Sequence, residues 1–520
     1  MLKLKKSFTI LTLAIYVGII LLMFFRSGDY TQSAGISQAY RYLILLAQFA
    51  ACGVIVLLAR SPGLKKFIIR HHIKILVGIF VTAIIIRVAY VFTVGTHLEY
   101  KEDLGRYLGY TQVMTNSGGA EFSESTLKYI TIFPHIIGTP MIMSIFLSLV
   151  GFSTVNYLLI NVVFGILSGV LIYFIIKQIF NKNYALISAL IWGINPFTLN
   201  YEMLITETPV VTFFILLCIF LWLEVLRQKN MGLVILYTIL CGISCVLAQF
   251  TRPIAVIFII AALITLFFYK KNIKFKIDKK LYPLINNLII SGILISTFTT
   301  GVLILEWKVE NLTGNELPGQ RIGYNFYVGS NPQRGGQWIP EAEKLFREKM
   351  EELPASEIHT FFFEEGLKNY KDNGFAVNFS LLHEKLKVIT NETIEKPVLY
   401  LYKGIEQLEG VSAETVDRFM PVIWIDCIIF VSLNYACAAL GAVGLALKYK
   451  KYKKIPEGLF LIALFFVGAI VGSLLFEVSF RYTYYANLLA IVLVPCVFEF
   501  IIKKRRVSDA YHNNRESGER

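Results

Sequence analysis

Apolar runs of about 20 residues recur along this chain, and they constrain its fold more than any other feature. A helix of roughly that length crosses the hydrocarbon core of a bilayer. Of the 520 residues, 56% are hydrophobic and only 17% are charged, which excludes a long cytosolic enzyme, a disordered protein and a fibrous repeat. The runs predict twelve membrane spans: 8–25, 42–59, 75–95, 155–176, 183–199, 209–226, 231–249, 254–269, 282–305, 420–447, 457–476 and 485–502.

Basic residues in the loops predict the orientation of these spans. The net charge is +14, and most Lys and Arg residues of the loops fall on the side that holds both termini. The positive-inside rule places that side in the cytoplasm, together with the basic tail 503–520. Lys3, Lys5 and Lys6 precede the first run, but no small-residue cleavage site follows it, so we expect this run to remain as an anchor.

Two outer segments are longer than the other loops. The first, 96–154, contains an apolar stretch at 138–151 that we interpret as a helix in the outer interface and not as a span. The second, 306–419, is polar, has a net negative charge and shows a helical pattern, which predicts a small extracytoplasmic domain. The predicted fold class is therefore an all-α polytopic membrane protein. Its parts are an N-terminal hairpin (1–74), a transmembrane core (75–305), the outer loop domain (306–419), C-terminal helices (420–502) and the tail.

Several common kinds of site have no signal in the sequence. All seven cysteines fall inside apolar segments, so neither a disulfide framework nor a Cys zinc site is predicted. We interpret them as small buried hydrophobic residues. The sequence also contains no Walker loop, no Rossmann fingerprint, no HExxH and no GxSxG.

Ionisable residues close to the membrane are functional candidates, because charge is costly at membrane depth. Five of them lie at or beyond the outer ends of the predicted spans: Arg87, Asp103, Glu207, Arg252 and Arg481. Charges with independent structural roles should scatter between both membrane faces. Their collection at one face predicts a single extracytoplasmic site.

Asp103 lies in the motif KEDLGRYLGY, shortly after the third span. Asp103 and Tyr107 are four residues apart, so on a helix they share one face. Glu99, Glu102 and Asp103 crowd three carboxylates together, an arrangement that can raise the pKa of one of them and suits a general base. The alternative is a solvated loop with surface carboxylates, and the spacing alone favours that alternative.

Glu207 begins a span in the motif NYEMLITETPV. A carboxylate there either complements the helix dipole, as Pro209 in the first turn also indicates, or serves a site. Glu202, in the same loop, is a weaker candidate for the carboxylate of a site.

The arginines suit phosphate recognition. Arg252 and Arg481 lie at outer ends of spans, where Arg either binds phosphate through its paired donors or reaches the lipid headgroups. Arg87 lies one or two turns inside the third span and has less access to headgroups. We therefore expect Arg87 to pair internally, with Asp103 or with a ligand phosphate.

The run GYNFYVGSNPQRGGQW (323–338) is rich in Gly, Asn and aromatic residues. Gly-rich loops can cradle phosphates, and aromatic and amide side chains suit sugars. Asn325, Asn331 and Trp338 are therefore candidate contacts to a sugar or an acceptor, although turn chemistry explains the run equally well. His135, in IFPHIIGTP, is a further outer candidate, but a lone His is more often structural.

In this order, the motifs resemble the polytopic glycosyltransferases of the GT-C fold. The resemblance is to bacterial family 39 members related to protein mannosyltransferases and aminoarabinose transferases, over about 75–270 and again near 323–340 and 478–486. It implies a GT-C-type bundle of about 12 transmembrane helices in all, of which the first two are additional to the usual core of the family. Its elements are an Arg in a span, EDLGRY, FPHIIGTP followed by LSLVG, INPFTLNYEMLITETP, TRP, NFYVGSNPQRGGQW and FRYTYYAN.

The resemblance implies a reaction and roles for the residues. One sugar would move, with inversion, from a polyprenyl phosphate on the outer leaflet to an acceptor hydroxyl. In this family the acidic residue of the first outer loop is the base. By resemblance that residue is Asp103, with Glu102 beside it. The usual order is an Asp followed by a second acid, whereas here Glu102 precedes Asp103, so the choice between the two stays open.

The other roles implied are phosphate binding and substrate binding. No cofactor is required, and a divalent cation near Asp103 stays open. The donor phosphate would contact Arg252 and Arg481, with Arg87 in support. A second acidic and substrate-binding set comprises Glu207, Tyr107 and His135.

The predicted partners are a polyprenyl-phosphate-linked sugar, an acceptor on an envelope glycan, glycolipid or protein, and the lipid bilayer, with no nucleic acid. The predicted setting is a bacterial plasma membrane. Two other classes are alternatives. A lipid or glycan transporter (flippase) would hold its site near the bilayer midplane and would not need the outer domain. A lipid-linked glycan ligase or polymerase would also use outer arginines, but without a base just after the first core span.

Overall fold

The computed structural model describes residues 2–26, 61–95, 102–269, 282–319, 321–389, 436–450 and 455–479, and the single residues 43, 46, 50, 100, 484 and 494. Within these ranges the regular structure is helical, which confirms the predicted all-α class. A further helical stretch covers 436–450. The helices are α1 (Leu2–Arg26), α2 (Pro62–Arg70), α3 (His72–Thr93), α4 (Glu102–Ser117), α5 (Glu124–Ile132), α6 (Gly138–Val150), α7 (Thr154–Ile179), α8 (Lys182–Ile194), α9 (Pro196–Glu202), α10 (Thr208–Arg227), α11 (Met231–Thr251), α12 (Ala255–Phe268), α13 (Tyr282–Thr313), α14 (Gly323–Gly329), α15 (Pro340–Glu352), α16 (Ala355–Lys387) and α17 (Glu457–Leu475).

Seven of the described helices are long and apolar enough to cross a membrane, and each coincides with a predicted span. The chain is therefore a multi-pass membrane protein. The seven are α1, α3, α7, α10, α11, α13 and α17. Apart from single residues, the predicted spans 42–59 and 485–502 lie outside the described residues, as do most of 420–447 and all of the tail 503–520. The total of twelve therefore stays a prediction, as does the orientation of the termini.

The predicted span 183–199 is wrong as a continuous helix. Helix α8 ends at Ile194 after 13 residues, and Asn195 is extended, with φ −69° and ψ 111°. Pro196 explains the break, because a proline disfavours the helical conformation of the residue before it. Helix α12, predicted as a short span at 254–269, has only 14 residues.

The apolar stretch at 138–151 forms the short helix α6. Its 13 residues are too few to cross a bilayer alone. A 3₁₀ turn at Pro134–Ile137 connects it to α5, and the two arms meet at 111°, the geometry of a broken span or a re-entrant loop. The interfacial position predicted for this stretch stays a prediction.

The main core lies among α7, α8, α10, α11, α12 and α17, where large side chains such as Trp192, Trp222 and Phe258 are fully buried. Cys218, Cys241, Cys245 and Cys437 are buried as well, as expected of small hydrophobic residues.

The outer segment builds a second apolar core of its own. Helices α14, α15 and α16 contribute rings that meet at 4.9–5.2 Å between centroids, among them Tyr324, Phe346 and Phe362. Ile132 and Phe133, from the end of α5, complete this cluster. The first outer loop and the outer segment are therefore packed together through apolar contact, while the domain boundaries drawn from the sequence stay predictions.

A buried ion pair connects the third predicted span to the broken segment after α8. Arg87 is fully buried, and its Nε lies 2.9 Å from a carboxylate oxygen of Glu202. The sequence predicted Asp103 or a ligand phosphate as the partner of Arg87. That prediction is wrong, because the partner is Glu202. All five N–H donors of Arg87 have acceptors, which leaves none for a phosphate. Besides Glu202, the acceptors are the carbonyls of Ala83, Trp192 and Gly193 and the hydroxyl of Thr198.

The segment around Glu202 is also held from α7. Asn161 donates to the carbonyls of Glu202 and Leu204 at 3.2 and 3.4 Å. A Cβ on Gly165 would lie 2.1 Å from the Glu202 carboxylate, so only glycine allows that carboxylate to pack against α7. These contacts fix the chain just before Glu207.

We expect Arg87→Met to destabilise the protein by about 3–5 kcal/mol, because it leaves the Glu202 carboxylate buried without its charge partner. The measurement is the midpoint of thermal unfolding of the purified protein in detergent. Arg87→Met combined with Glu202→Gln should recover part of the loss. Arg227→Met is the matched control: the Arg227 side chain is 60% exposed, so its pair with Glu224 at 3.5 Å should contribute about 0–1 kcal/mol. Equal effects of Arg87→Met and Arg227→Met would contradict this account.

Candidate active site

A cavity of about 550 Å³ lies where the first outer loop, two span ends and the outer segment meet. Its volume falls within the usual range of small-molecule sites, about 300–1,000 Å³. The lining residues that the sequence also singled out are Asp103, Tyr107, His135, Glu207, Arg252, Asn325 and Trp338.

Helix α4 forms the first wall of the cavity. Asp103 and Tyr107 both line it, as their spacing on one helical face predicted. Arg106 donates to the Tyr129 hydroxyl at 2.9 Å and lies 3.4 Å from an Asp103 carboxylate oxygen. The Asp103 side chain is half-exposed, so its carboxylate is accessible from the cavity. Glu99 and the Glu102 side chain lie outside the described residues, and the crowding of three carboxylates stays a prediction.

The second wall is an ion pair between the ends of two spans. Arg252 Nη1 contacts Glu207 Oε1, and both side chains are largely buried. Glu207 makes no side-chain capping hydrogen bond at the start of α10, and its carboxylate pairs with Arg252. Arg252 ends α11 in an extended conformation, with φ −158° and ψ 132°, ahead of Pro253. That break turns its side chain away from the helix and towards the cavity wall.

The outer segment supplies the third wall. Tyr324 and Asn325 come from α14, and Trp338 from the turn before α15. Glu343 accepts from Arg347 Nε at 3.0 Å and from Trp338 Nε1 at 3.5 Å. Trp338 is 43% exposed, so an apolar ring face remains open on this wall.

The fourth wall is the chain that leaves α17. Glu477 and Ser479 line the cavity there. The Glu477 amide donates to the Asn325 carbonyl at 2.7 Å, and the Val478 amide donates to the Gly336 carbonyl at 3.0 Å. Two backbone bonds therefore fasten this segment to the outer wall. Arg481, two residues beyond Ser479, lies outside the described residues.

Two expectations for 323–338 need correction. Asn331 does not line the cavity; its Oδ1 accepts from the Gln333 amide and stabilises the turn. Residues 323–329 form a helix and not a phosphate-binding loop, and their glycines permit close packing. A Cβ on Gly323 would lie 1.7 Å from the His359 carbonyl, and one on Gly329 would lie 2.4 Å from the Phe476 backbone.

His359 connects the outer wall of the cavity, at Tyr324, to the end of α5. Its Nδ1 accepts from the Tyr324 amide at 3.3 Å, and its Nε2 lies 2.9 Å from the Ile132 carbonyl. This pattern requires the neutral imidazole with its proton on Nε2. Burial lowers the pKa of His359 to about 4; the hydrogen bond to Ile132 opposes this shift and Arg321 adds to it.

We expect acid to loosen the outer segment through His359. Since the folded pKa lies below the unfolded value of about 6.5, the neutral ring contributes stability above pH 6.5, and that stability is lost as the pH falls towards 4. Between pH 7.5 and 5 the loss should be about 2 kcal/mol, measured as the shift of the unfolding midpoint. His359→Gln should flatten this dependence, whereas His383→Gln, an exposed His on the same helix, should not. Equal pH dependence in both variants would contradict the assignment.

Sequence reasoning missed several lining residues, among them Arg106, Tyr129, Glu343, Arg347 and Glu477. Arg106 follows Asp103 by three positions, which on a helix places it beside the carboxylate. Glu343 and Arg347 have the spacing of an ordinary surface ion pair, so the sequence gave no reason to single them out. Glu477 is close in sequence to Arg481 but carries no motif.

Metal ligation has one candidate by geometry among the described residues. Cys218, Cys241 and Cys245 bring their sulfur atoms within 4.8 Å of one another, between α10 and α11. Three thiolates there would place negative charge inside the apolar core, which is costly. These cysteines therefore fit packing better than ligation.

Comparison with known proteins adds an independent finding. Residues 135–298 match the family model described as dolichyl-phosphate-mannose-protein mannosyltransferase. This match, over about a third of the chain, confirms the resemblance to the protein mannosyltransferases. The match contains His135, Glu207 and Arg252. The match supports a membrane glycosyltransferase, while the activity, donor, acceptor and site roles of the chain stay proposals. No curated protein matches the chain significantly.

Solved structures show more distant likeness. The oligosaccharyltransferase of Archaeoglobus fulgidus, in complex with Zn and sulfate, is 14% identical with a TM-score of 0.45, over 84% of this chain and 50% of that one. The same organism's AglB, with an inhibitory peptide and a dolichol-phosphate, is 13% identical with a TM-score of 0.43, over 85% and 52%. ArnT from Cupriavidus metallidurans, bound to undecaprenyl phosphate, is 10% identical with a TM-score of 0.36, over 80% and 77%. The chain spans about half the length of the oligosaccharyltransferases.

Proposed function

We propose that this protein is an inverting glycosyltransferase that moves a single sugar from a polyprenyl-phosphate donor to an acceptor hydroxyl of the cell envelope. The observation that carries the proposal is the meeting of the Asp103 carboxylate and the Arg252 guanidinium on the lining of one cavity. A displacement at a sugar carbon needs both kinds of group. One takes the proton of the acceptor, and the other stabilises the departing phosphate.

Asp103 is the proposed general base. Its carboxylate is half-exposed at the cavity and lies 3.4 Å from Arg106, on the helix that forms the first wall. As the acceptor oxygen attacks the anomeric carbon, its proton moves to Asp103, and the bond to the lipid phosphate breaks. A single displacement of this kind inverts the anomeric centre. Glu102 remains the alternative base.

Arg252 is the proposed phosphate ligand. Glu207 holds its guanidinium at the cavity wall, so the cation is positioned before a donor binds. The family description names dolichyl-phosphate mannose, a polyprenyl-type phosphate sugar, which supports a lipid-linked donor. We propose Arg481 as a second ligand, because it follows Ser479 of the cavity lining by two residues. Arg87 has no remaining donor, so we withdraw it from this role.

The acceptor side of the cavity is proposed to be the outer wall. Trp338 offers an exposed ring face, and Asn325 offers an amide, the combination that suits a sugar ring. Tyr107 and His135 line the space between this wall and the ion pair. The reaction requires no metal ion; a divalent cation bound near Asp103 is the alternative, and activity after EDTA treatment separates the two.

We expect Asp103→Asn to lower sugar transfer by about 10²–10⁴-fold, the usual contribution of a positioned general base. The measurement uses purified protein in liposomes, radiolabelled polyprenyl-phosphate hexoses and an envelope extract as the source of acceptor. Glu124→Gln is the matched control, since Glu124 is an exposed carboxylate on the neighbouring helix α5 and does not line the cavity.

The outcomes of this experiment separate the alternatives. Full activity of a folded Asp103→Asn variant would move the base to Glu102 or Glu207. Transfer of a whole glycan chain, in place of one sugar, would favour the ligase or polymerase. Donor movement across the bilayer without transfer would favour the transporter.

A further inference from the structure

Helix α16 is broken at Gly374, which divides it into two arms. Gly374 has φ 67° and ψ 179°, a conformation that glycine alone adopts without strain. The second arm, 375–387, therefore follows its own direction from the first. It has no part in the apolar core formed by the first arm around Phe362.

The second arm carries an exposed apolar stripe. Phe375 is 87% exposed, Phe379 68% and Leu382 40%, at the i, i+4, i+7 spacing of one helical face. The rings of Phe375 and Phe379 stack at 6.2 Å between centroids. A different face of the arm is buried, where Leu381 and Lys385 are turned towards the protein. Two neighbouring Phe rings open to water are unusual on a soluble surface.

Hydrogen bonds fix this arm to the end of a membrane span. Lys385 Nζ donates to the carbonyls of Leu474 and Phe476 at 2.9 and 2.8 Å, at the last turn of α17. Tyr370, four residues before the break, donates to the Leu475 carbonyl at 3.1 Å. The Asn378 side-chain amide donates to the Tyr370 carbonyl at 2.7 Å. Both ends of the arm thus lie close to the point where α17 ends.

We propose that the stripe Phe375–Phe379–Leu382 lies in the lipid interface on the same membrane face as the cavity. An arm with both ends close to the end of a span cannot extend far from the membrane surface, since 13 helical residues measure only about 20 Å. Its exposed apolar face and its buried polar anchor are the features of a helix that lies in the interfacial plane. Leu475, on the last turn of α17, is itself exposed, so an apolar surface already continues to this level.

The interfacial arm supports the outer wall of the cavity. Gly335 and Gly336 pack directly on it: a Cβ on Gly335 would lie 2.9 Å from Glu384, and one on Gly336 would lie 2.3 Å from Lys385. Gly336 in turn accepts the amide of Val478, next to Glu477 of the lining. Lipid contact at the stripe therefore sets the height of the cavity wall above the bilayer. This inference rests on the membrane spans and does not depend on the proposed reaction.

The test is site-specific photocrosslinking of the full chain in liposomes that contain radiolabelled phospholipid. The photoreactive residue p-benzoylphenylalanine replaces Phe375 or Phe379, a change that keeps an aromatic ring at an exposed position. Lys344 is the control position because it is exposed on α15, a different helix of the outer segment. Lipid adducts at 375 and 379 should exceed those at 344 by about ten-fold, as burial in the interface requires.

Each other outcome would overturn the proposal. Crosslinks to a second copy of the chain would assign the stripe to a dimer contact, and crosslinks within the chain would show that another segment covers it. Equal lipid labelling at 344 and 375 would place the stripe in water. Phe375→Trp gives an independent measurement: its added fluorescence should be quenched in vesicles of brominated lipid, and quenching by aqueous iodide alone would contradict the interfacial position.

Discussion

The buried ion pair between Arg87 and Glu202 fixes the part of the bundle on which the cavity depends. Taking two charges out of water costs several kcal/mol each, and only close, fully hydrogen-bonded partners offset that cost. Arg87 meets this condition through acceptors on α3, on the end of α8 and on α9. The pair therefore holds the interrupted segment after Pro196 in one position. Glu207 follows Glu202 by five residues and lines the cavity. The buried pair, which no ligand can reach, therefore positions a residue of the cavity wall.

Arginine–carboxylate pairs also line the cavity, where a ligand can reach them. Three arginine–carboxylate pairs line it: Arg106 with Asp103, Arg252 with Glu207, and Arg347 with Glu343. Each belongs to a different wall, so charges of both signs are distributed around the space in fixed directions. Such preorganised groups stabilise charge that develops during a reaction without further rearrangement. This arrangement fits a reaction in which a proton leaves on one side and a phosphate on the other.

The sequence predicted the features that depend on short-range pattern. Run length identified the seven spans that the structure describes, and helical spacing placed Asp103 and Tyr107 on one face. The cost of charge at membrane depth singled out Glu207 and Arg252, which the structure pairs at one end of the bundle, while their roles in a site stay predictions. The partner of Arg87 was wrong because partner choice depends on how α3 packs against α9, which no local pattern encodes. For Asn331 and the glycines of 323–338 the sequence left two explanations open, since turn stabilisation and close packing use the same residue types as ligand binding. Glu343 and Arg347 have the pattern of a solvated helix face, and only the tertiary fold brings them to the cavity.

The most direct test of the central claim is to locate the donor itself. A polyprenyl-phosphate sugar that carries a photoreactive group on the sugar would be bound to the purified protein in liposomes, irradiated, and mapped by mass spectrometry of the labelled peptides. The account predicts labelled peptides from the cavity walls, around Asp103, around Arg252 and around Trp338, and competition by unlabelled donor. Labelling confined to the lipid-facing surfaces of the spans, with no competition, would contradict the claim that this cavity is the site of a lipid-linked sugar donor.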